Sequence, residues 1–264
     1  MTKIILWIHK NLFEFFYKKI IYLIHPEMVN IKKLACGRPG DGRYIIPDDP
    51  FFIDDAILLS FGVNDDISFE KDFLARTNNS KVICFDPAIE KLPEVNTEIL
   101  FYKLGLSGSV NKNKNLTTLE NILKQANVSP ASKIVLKIDI EGWEWPTFEY
   151  LLRNNFKLDL IIVEFHFLLF NNLLEKVLFP VYFIKRYNIF KKLLSRYSIF
   201  HIHANNYRYT FFKDFIFPEV IELTLISNDN FIKDFIKEVK ELNSPNCFDK
   251  IDIQYPFIKK EVRV

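Results

Sequence analysis

The sequence predicts an α/β fold in which a mostly parallel sheet carries helices on both faces. Short apolar runs alternate with helically periodic segments from residue 56 onwards, and this alternation is typical of strand-helix-strand units. The last two apolar runs follow each other without a helical segment between them, which indicates a C-terminal hairpin. Open α/β domains commonly run past about 200 residues, so the 264 residues suit one main domain rather than two.

Seven segments are predicted as strands from their apolar content and the turn residues that bound them, namely residues 56–62, 81–87, 99–106, 133–139, 158–167, 198–206 and 219–227. Three further segments have apolar residues at helical spacing and are predicted as helices, namely residues 66–76, 115–128 and 145–155. Asp65 or Asp66 is expected to cap the first helix, and Pro146 suits the first turn of the third.

Residues 1–28 are predicted as an amphipathic N-terminal helix. Its polar residues recur at steps of seven, four and four, at Lys3, Lys10, Glu14 and Lys18. These charges interrupt any apolar run long enough to cross a membrane. We expect the apolar face to pack on the protein's own core or on a partner, with peripheral contact to a membrane surface as the alternative.

Residues 29–264 are predicted as the single main domain. A long aromatic and basic stretch follows the fifth strand, at about residues 168–197. Its composition predicts a helical insertion that is broken near Pro180.

The bulk composition excludes several classes of protein. A formal net charge of +2, with both signs mixed along the chain, argues against a nucleic-acid partner, which needs a concentrated basic surface. Cys36, Cys84 and Cys247 lie far apart without a CxxC pair, so neither a zinc knuckle nor a disulfide framework is predicted. A reducing, cytoplasmic compartment is expected.

The segment LKIDIEGWEW, residues 136–145, contains the main functional signal. A strand of the buried type ends there in three carboxylates, Asp139, Glu141 and Glu144, around one glycine. Ligands bind at the carboxyl ends of the strands in parallel sheets, so a site is predicted at this edge. Glu144 is expected mainly to favour the N-terminus of the following helix.

The turn after the first strand indicates a bound cofactor. Gly62 would let the backbone approach a ligand, and Asn64 can adopt a left-handed conformation where a second glycine would be usual. Asp86 lies 24 residues after Gly62, close to the spacing at which a carboxylate meets ribose hydroxyls. Without a GxGxxG motif, these features suggest a nucleoside with a small anion, which describes S-adenosylmethionine.

Eight segments, in order along the chain, resemble one known family: GRPGDGRYII (37–46), LLSFGVNDDISFE (58–70), ICFDP (83–87), LKIDIEGWEW (136–145), IIVEFH (161–166), HIHANNY (201–207), PEVIELTLI (218–226) and SPN (244–246). They resemble the FkbM-type, class I S-adenosylmethionine-dependent methyltransferases, in particular the branch that includes methyltransferase-like protein 24. Two positions depart from the family pattern, because Asn64 and Arg43 each stand where a glycine is usual.

The resemblance implies a Rossmann-like, seven-stranded sheet with S-adenosylmethionine across the ends of the first two strands. The implied cofactor-binding residues are Phe61, Gly62, Val63, Asn64, Asp65, Asp86 and Pro87, together with Asp41 and Gly42 from the loop before the first strand. Asp139 would then lie near the transferable methyl group.

Methyl transfer to a hydroxyl needs a base within reach of the acceptor proton. Asp139, Glu141 and His166 are the predicted catalytic residues, and Glu164 shares a strand face with His166. His201 and His203 share a face of the sixth strand and could bind the acceptor. With Asp139, Glu141 and His166 they could also hold a divalent metal, but no ligand spacing fixes such a set and no metal ligand is predicted.

The predicted activity is O-methylation of a hydroxyl on a sugar, a glycan or another small molecule. Two alternatives stay open at this stage. One is a metal-dependent glycosyltransferase that uses Asp139 and Glu141 at a diphosphate-metal site. The other is a non-catalytic, membrane-associated protein that retains the fold. The sequence predicts neither the identity of the acceptor nor the oligomeric state.

Overall fold

The computed structural model of the chain describes residues 14–15, 18–20, 22–24, 31–166, 179–207, 209–211 and 216–230. The strands among these residues are β1 (Lys33–Cys36), β2 (Tyr44–Pro47), β3 (Ile57–Phe61), β4 (Lys81–Phe85), β5 (Ile99–Tyr102), β6 (Gly105–Leu106), β7 (Leu116–Thr117), β8 (Ile134–Ile138), β9 (Leu160–His166), β10 (Tyr197–Ala204), β11 (Tyr209–Phe211), β12 (Ile216–Pro218) and β13 (Val220–Ser227). The helices are α1 (Pro50–Ile53), α2 (Ser68–Arg76), α3 (Leu119–Gln125), α4 (Glu144–Arg153) and α5 (Phe179–Leu194), and a short 3-10 helix covers Lys112–Lys114.

The central sheet has seven strands in the order β10-β13-β9-β8-β3-β4-β5. Strands β3, β4, β5, β8 and β9 are parallel, and β13 runs antiparallel to both β9 and β10. The predicted seven-stranded α/β sheet is confirmed. The chain builds outwards from β3 in one direction and then returns to add β8 on the other side, and ligands of open α/β sheets bind at such a switch point.

Two predicted elements are interrupted by a pairing that the sequence pattern did not indicate. The strand predicted over 99–106 is divided, because its last two residues form β6 and pair with β7 instead of continuing β5. The same pairing delays the helix predicted over 115–128. Since Leu116 and Thr117 belong to β7, α3 begins only at Leu119.

The predicted cap of α2 is also corrected. Ile67 occupies the cap position and makes no side-chain cap hydrogen bond. Asp66 instead accepts a hydrogen bond from the backbone N–H of Ser68 at 2.9 Å. The aspartate therefore bonds to the start of the helix from one position earlier than a capping residue.

Helices cover both faces of the sheet because the strand side chains alternate between two cores. On one face, residues of β3, β8 and β9 pack with α3, α4 and α5, for example through Leu136, Phe148 and Phe190. On the other face, residues of β3, β4 and β8 pack with α1, α2 and the β1–β2 hairpin, for example through Val135 and Phe73. Strands buried on both faces explain the continuous apolar runs in the sequence.

The β1–β2 hairpin lies across the second face and is fixed to strands far away in sequence. Thr224 of β13 donates a side-chain hydrogen bond to the backbone carbonyl of Ile45. Lys33 Nζ lies 3.1 Å from His201 Nδ1 on β10. Because β1 and β2 pair antiparallel, Asp41 and Gly42 lie in the turn of this hairpin. The hairpin places Tyr44 over the carboxyl ends of β8 and β9.

Part of the predicted N-terminal helix packs on the protein's own core. Ile20 and Ile24 are fully buried in the same core as α4 and α5, whereas Phe15 and Tyr22 are exposed. Glu14 and Lys18 form an ion pair at 2.9 Å, one helical turn apart. The rest of the prediction over 1–28 lies outside the described residues, as do residues 168–178 of the predicted insertion. In the part of the chain that the structure describes, every helix is too short or too polar to cross a membrane.

Replacing Ile24 by aspartate is expected to lower the free energy of unfolding by at least about 3 kcal/mol, because a charged side chain would replace a fully buried aliphatic one. Phe15→Asp is the matched control, since Phe15 is 55% exposed in the same segment, and a change within about 0.5 kcal/mol is expected. Urea denaturation measures both. Equal effects of the two changes would contradict packing of this segment on the core.

Candidate active site

A cavity of about 560 Å³ opens at the carboxyl ends of β3, β4 and β8, at the switch point of the sheet. Of the residues predicted for the site, only Phe61 and His166 do not line this cavity. The predicted residues that do line it are Asp41, Gly42, Gly62, Val63, Asn64, Asp65, Asp86, Pro87, Asp139 and Glu141. The ring of Phe61 instead stacks on Phe85 in the core, with centroids 4.7 Å apart. Phe61 therefore supports the cavity from the core and does not form its wall, and the cofactor and catalytic roles of the lining residues stay predictions.

Gly62 is required by the packing of two strand ends. Its φ is +80°, and a Cβ atom at this position would lie 1.6 Å from the backbone oxygen of Asp139. The end of β3 and the end of β8 thus approach more closely than any side chain would allow. Asn64 has a φ of 43°, which confirms the predicted left-handed conformation.

Gly62→Ala is expected to lower the free energy of unfolding by more than about 3 kcal/mol, because the new methyl group overlaps a backbone oxygen and the φ is unfavourable. Asn64→Ala shares the positive φ without that overlap, and a cost of about 1 kcal/mol is expected. Thermal and urea unfolding measure both variants. Similar costs would show that backbone strain alone explains the glycine.

Asp86 is held rigidly at the end of β4. Its Oδ2 accepts a hydrogen bond from the backbone N–H of Asn64 at 3.0 Å, and its Oδ1 accepts one from Ala88 at 2.7 Å. The second of these bonds closes a turn around Pro87. Each carboxylate oxygen has a further lone pair, so Asp86 can also accept hydrogen bonds from a ligand in the cavity.

A row of polar side chains extends from the cavity across the sheet beneath the hairpin. The strand register pairs Glu164 of β9 with Glu222 of β13, and Glu222 with His203 of β10. Asp139 follows the last β8 residue in the register with β9 and therefore lies next to Glu164. The hydroxyl of Tyr44 lies 3.2 Å from Asp139 Oδ2 and 3.4 Å from Glu164 Oε2. Tyr44 thus connects the first two members of the row.

Burial perturbs the two carboxyl groups that Tyr44 contacts. It raises the pKa of Asp139 to about 6, against the opposing effect of the positive charges of Lys137 and His166. Burial, followed by the charges of Asp139 and Glu222, raises the pKa of Glu164 well above its usual range. This edge of the sheet therefore gathers carboxyl groups whose ionisation is opposed by burial and by the charges of their neighbours.

His166 lies behind the cavity wall at the end of β9. Its Nδ1 is 3.1 Å from Glu144 Oε1, and its Nε2 is 3.4 Å from Glu141 Oε2 and 3.9 Å from Glu164 Oε1. Burial alone would lower the pKa of His166, but the hydrogen bond to Glu144 and the nearby carboxylates raise it to about 9. An imidazole that is already protonated at neutral pH is poorly suited to the base role predicted for His166.

The three carboxylates of the LKIDIEGWEW segment have three different environments. Glu144 is fully buried, and its Oε1 accepts hydrogen bonds from the N–H groups of Ile140 and Gly142 at 3.3 and 3.1 Å. It therefore joins the turn to His166, a larger role than the predicted effect on the helix terminus. Glu141 has a φ of 51° and a side chain that is 79% exposed. Asp139 is half-buried and so is intermediate in exposure between Glu144 and Glu141.

Tyr44 and Lys137 are among the lining residues that sequence reasoning missed, and both contact charged groups of the site. Lys137 is buried in β8, with its Nζ 3.4 Å from Glu70 Oε1 and 5.0 Å from the centre of the Tyr44 ring. Burial lowers the pKa of this lysine, but Glu70 and Asp139 outweigh that effect and raise it. A lysine inside an otherwise apolar strand was the available signal, because a buried lysine needs an acidic partner.

The histidines and carboxylates considered as metal ligands lie in separate groups. The donor atoms of Asp139, Glu164 and His166 all lie within 4.8 Å of one another. His203 lies beside Glu222 at 3.2 Å, and His201 beside Lys33 at 3.1 Å. The two histidines of β10 therefore do not belong to the group that could hold a metal.

The sequence model of the family described as "Methyltransferase FkbM domain" matches residues 14–209. The chain belongs to this family. FkbM membership confirms the family resemblance found in the sequence, whereas the branch that includes methyltransferase-like protein 24 stays a prediction. No curated protein matched the sequence.

Several solved structures are similar to this FkbM chain. An rRNA methylase from Streptococcus thermophilus is 12% identical, with a TM-score of 0.34 over 67% of this chain and 90% of its own. A precorrin-6y C5,15-methyltransferase from Geobacter metallireducens is 11% identical, with a TM-score of 0.33 over 66% and 82%. The fibrillarin pre-rRNA processing protein of Methanococcus jannaschii is 13% identical, with a TM-score of 0.36 over 75% and 83%. Scores this low carry no argument about function, so the family rests on the sequence match.

A class I methyltransferase family implies S-adenosylmethionine as the methyl donor, and the described residues fit it. The cavity has the volume of an ordinary small-ligand pocket. Asp86 offers rigidly held acceptor oxygens for a ribose, and the turn after β3 offers backbone at close range because Gly62 has no side chain. Both of these features lie on the wall of the same cavity.

Proposed function

We propose that this FkbM methyltransferase transfers a methyl group from S-adenosylmethionine to a hydroxyl group on a sugar, a glycan or another small molecule. One observation carries the proposal. The cavity has the rigid carboxylate of Asp86 at one strand end and the carboxylates of Asp139 and Glu141 at another. A nucleoside-binding group and a proton-accepting group thus face the same space.

The proposed binding mode assigns one part of the cofactor to each strand end. Asp86 accepts hydrogen bonds from the ribose hydroxyls, because its two oxygens are oriented by Asn64 and Ala88. The turn from Gly62 to Asp65 contacts the methionine part. Asp41 and Gly42, in the hairpin turn, close the cavity from the side of β1 and β2.

When bound, S-adenosylmethionine supplies a sulfonium methyl group to an acceptor oxygen placed in line with the carbon-sulfur bond. The chain's part is to position the acceptor and to remove its proton. Asp139 is oriented for this by the Tyr44 hydroxyl and by its own backbone N–H, which bonds to the Phe61 carbonyl at 3.1 Å. Exposed Glu141 next to it passes the proton to water.

A polyhydroxylated acceptor suits this edge of the cavity. Asp41, Asp139 and Glu141 all line it, and carboxylates accept hydrogen bonds from several hydroxyl groups at once. The same carboxylates would repel a phosphate backbone, which supports the expectation that nucleic acid is not the acceptor.

The proposal is tested by thermal unfolding with S-adenosylhomocysteine, NAD or a UDP-sugar, each with and without Mn²⁺. A ligand at roughly 100 times its Kd adds about 2.7 kcal/mol of stability, which raises the Tm of a domain this size by about 5 to 10 °C. We expect the shift with S-adenosylhomocysteine, without a need for metal. A shift only with the UDP-sugar and Mn²⁺ would support the glycosyltransferase alternative instead.

Peripheral membrane contact of a cytoplasmic protein is a further part of the proposal. The exposed aromatic side chains of Phe15 and Tyr22, beside Lys18 and Lys19, are its support. Co-sedimentation with anionic vesicles should fall in a Phe15→Asp, Tyr22→Asp variant. Equal sedimentation of this variant and the wild type would remove the idea.

A further inference from the structure

The donor atoms of Asp139, Glu164 and His166 are close enough to share one ion. They lie within 4.8 Å of one another, and His166 Nε2 is 3.9 Å from Glu164 Oε1. Ligands held at about 2.1 Å from a divalent cation lie roughly 3.0 Å apart when adjacent and roughly 4.2 Å apart when opposite. Small rotations of these side chains would therefore bring the three donors to a common centre.

His166 is presented in the way that metal-binding histidines are presented. The side chain is buried, and its Nδ1 lies 3.1 Å from Glu144, which is itself held by the N–H groups of Ile140 and Gly142. A carboxylate on one ring nitrogen fixes the tautomer and the ring orientation, which leaves the other nitrogen for a metal. That other nitrogen, Nε2, faces carboxylate oxygens at ion-pair rather than normal hydrogen-bond distances.

The two carboxylates are also oriented from outside the cluster. The Tyr44 hydroxyl contacts Asp139 Oδ2 and Glu164 Oε2, and Asn205 Nδ2 donates to Glu164 Oε1 at 3.1 Å. Supporting hydrogen bonds of this kind hold metal ligands in place in known sites. Each carboxylate keeps lone pairs for a cation, because two oxygens offer about four acceptor positions.

We propose that Asp139, Glu164 and His166 bind one divalent cation of the Mn²⁺ type, which accepts both carboxylate oxygen and imidazole nitrogen. Asp139, the ligand that lines the cavity, would bring the cation to the strand end where the proposed function places the acceptor.

The catalytic role of this cation rests on the proposed function, whereas its binding does not. A cation that contacts the acceptor oxygen lowers the pKa of the hydroxyl group. The O–H bond would then break, the proton would pass to the oxygen of Asp139 that is not on the cation, and Glu141 would pass it on to water. The acceptor oxygen forms its bond to the methyl carbon as the carbon-sulfur bond breaks, and sulfur keeps the electron pair.

The test is a Mn²⁺ titration of the chelator-treated full chain, followed by the electron paramagnetic resonance signal of free Mn²⁺. The wild type is expected to bind one ion. His166→Gln and Glu164→Gln are each expected to weaken binding at least about tenfold. His203→Gln is the matched control, because His203 is equally buried and its Nδ1 also lies beside a glutamate, and binding is expected to be unchanged.

Folding of each variant is checked separately by its thermal shift with S-adenosylhomocysteine. Absence of wild-type binding up to millimolar Mn²⁺ would overturn the cation site and leave the proposed function standing. Tight binding that survives His166→Gln in a folded variant would overturn it as well. Mn²⁺ binding without any response to S-adenosylhomocysteine would instead count against the methyltransferase proposal alone.

Discussion

Asp139→Asn is expected to reduce the rate of methyl transfer by a factor of about 10² to 10⁴ while cofactor affinity stays within about threefold of the wild type. The amide keeps the shape of the side chain and can still accept a hydrogen bond from Tyr44, but it can neither take a proton nor carry a charge. The measurement uses radiolabelled S-adenosylmethionine and the acceptor fraction that the wild type methylates, together with S-adenosylhomocysteine binding.

Glu149→Gln provides the control for this change. Glu149 is a carboxylate on the exposed side of α4, where it pairs with Lys185 at 2.6 Å. The same chemical change there is expected to leave transfer unaffected. If Asp139→Asn stayed within about threefold of the wild-type rate, the carboxylate would have no part in the chemistry, and the active site would have to be placed elsewhere along the cavity.

Lys137→Met is expected to lower the free energy of unfolding by about 3 to 5 kcal/mol, because it leaves the fully buried carboxylate of Glu70 without its cation. The double variant Lys137→Met, Glu70→Gln removes both charges and is expected to be more stable than the single variant. Urea denaturation of the two single variants and the double variant gives the coupling free energy.

Methyl transfer by the same variants separates the contribution of Lys137 to stability from its contribution to activity. Lys137 lines the cavity and contributes a positive charge close to Asp139. The double variant should therefore fold and yet differ from the wild type in methyl transfer. Additive losses in the single variants, with no recovery in the double one, would show that the ion pair is not the reason for the burial of these two residues.

The sequence predicted the fold well because the relevant signals are local. Each strand of the central sheet is a short apolar run with turn residues at its ends, and such a pattern depends on neighbouring residues only. The two interrupted elements failed for the opposite reason. The residues of β6 and β7 have the composition of a longer strand and of a helix start, and their pairing with each other depends on tertiary contacts.

The site shows the same division. Asp86 and Gly62 were predicted as cofactor-binding residues because fixed positions along α/β units carry ligand-binding residues, and both line the cavity. Tyr44 was missed because its partner Asp139 is 95 positions away, and no local sequence pattern predicts that contact. Glu144 was assigned only to a helix terminus, because no local sequence pattern predicts its contact with His166, which is 22 positions away.

The β1–β2 hairpin makes assembly of the site dependent on the order of folding. Its contacts join residues 168 and 179 positions apart, at Lys33 with His201 and at Ile45 with Thr224. Contacts of such long sequence separation form late, because the entropy of closing a long loop must first be overcome. The parallel strands can pair earlier, but the hydroxyl of Tyr44 reaches Asp139 only when the hairpin docks on the last strand of the sheet. Recovery of ligand binding during refolding should therefore lag behind recovery of secondary structure.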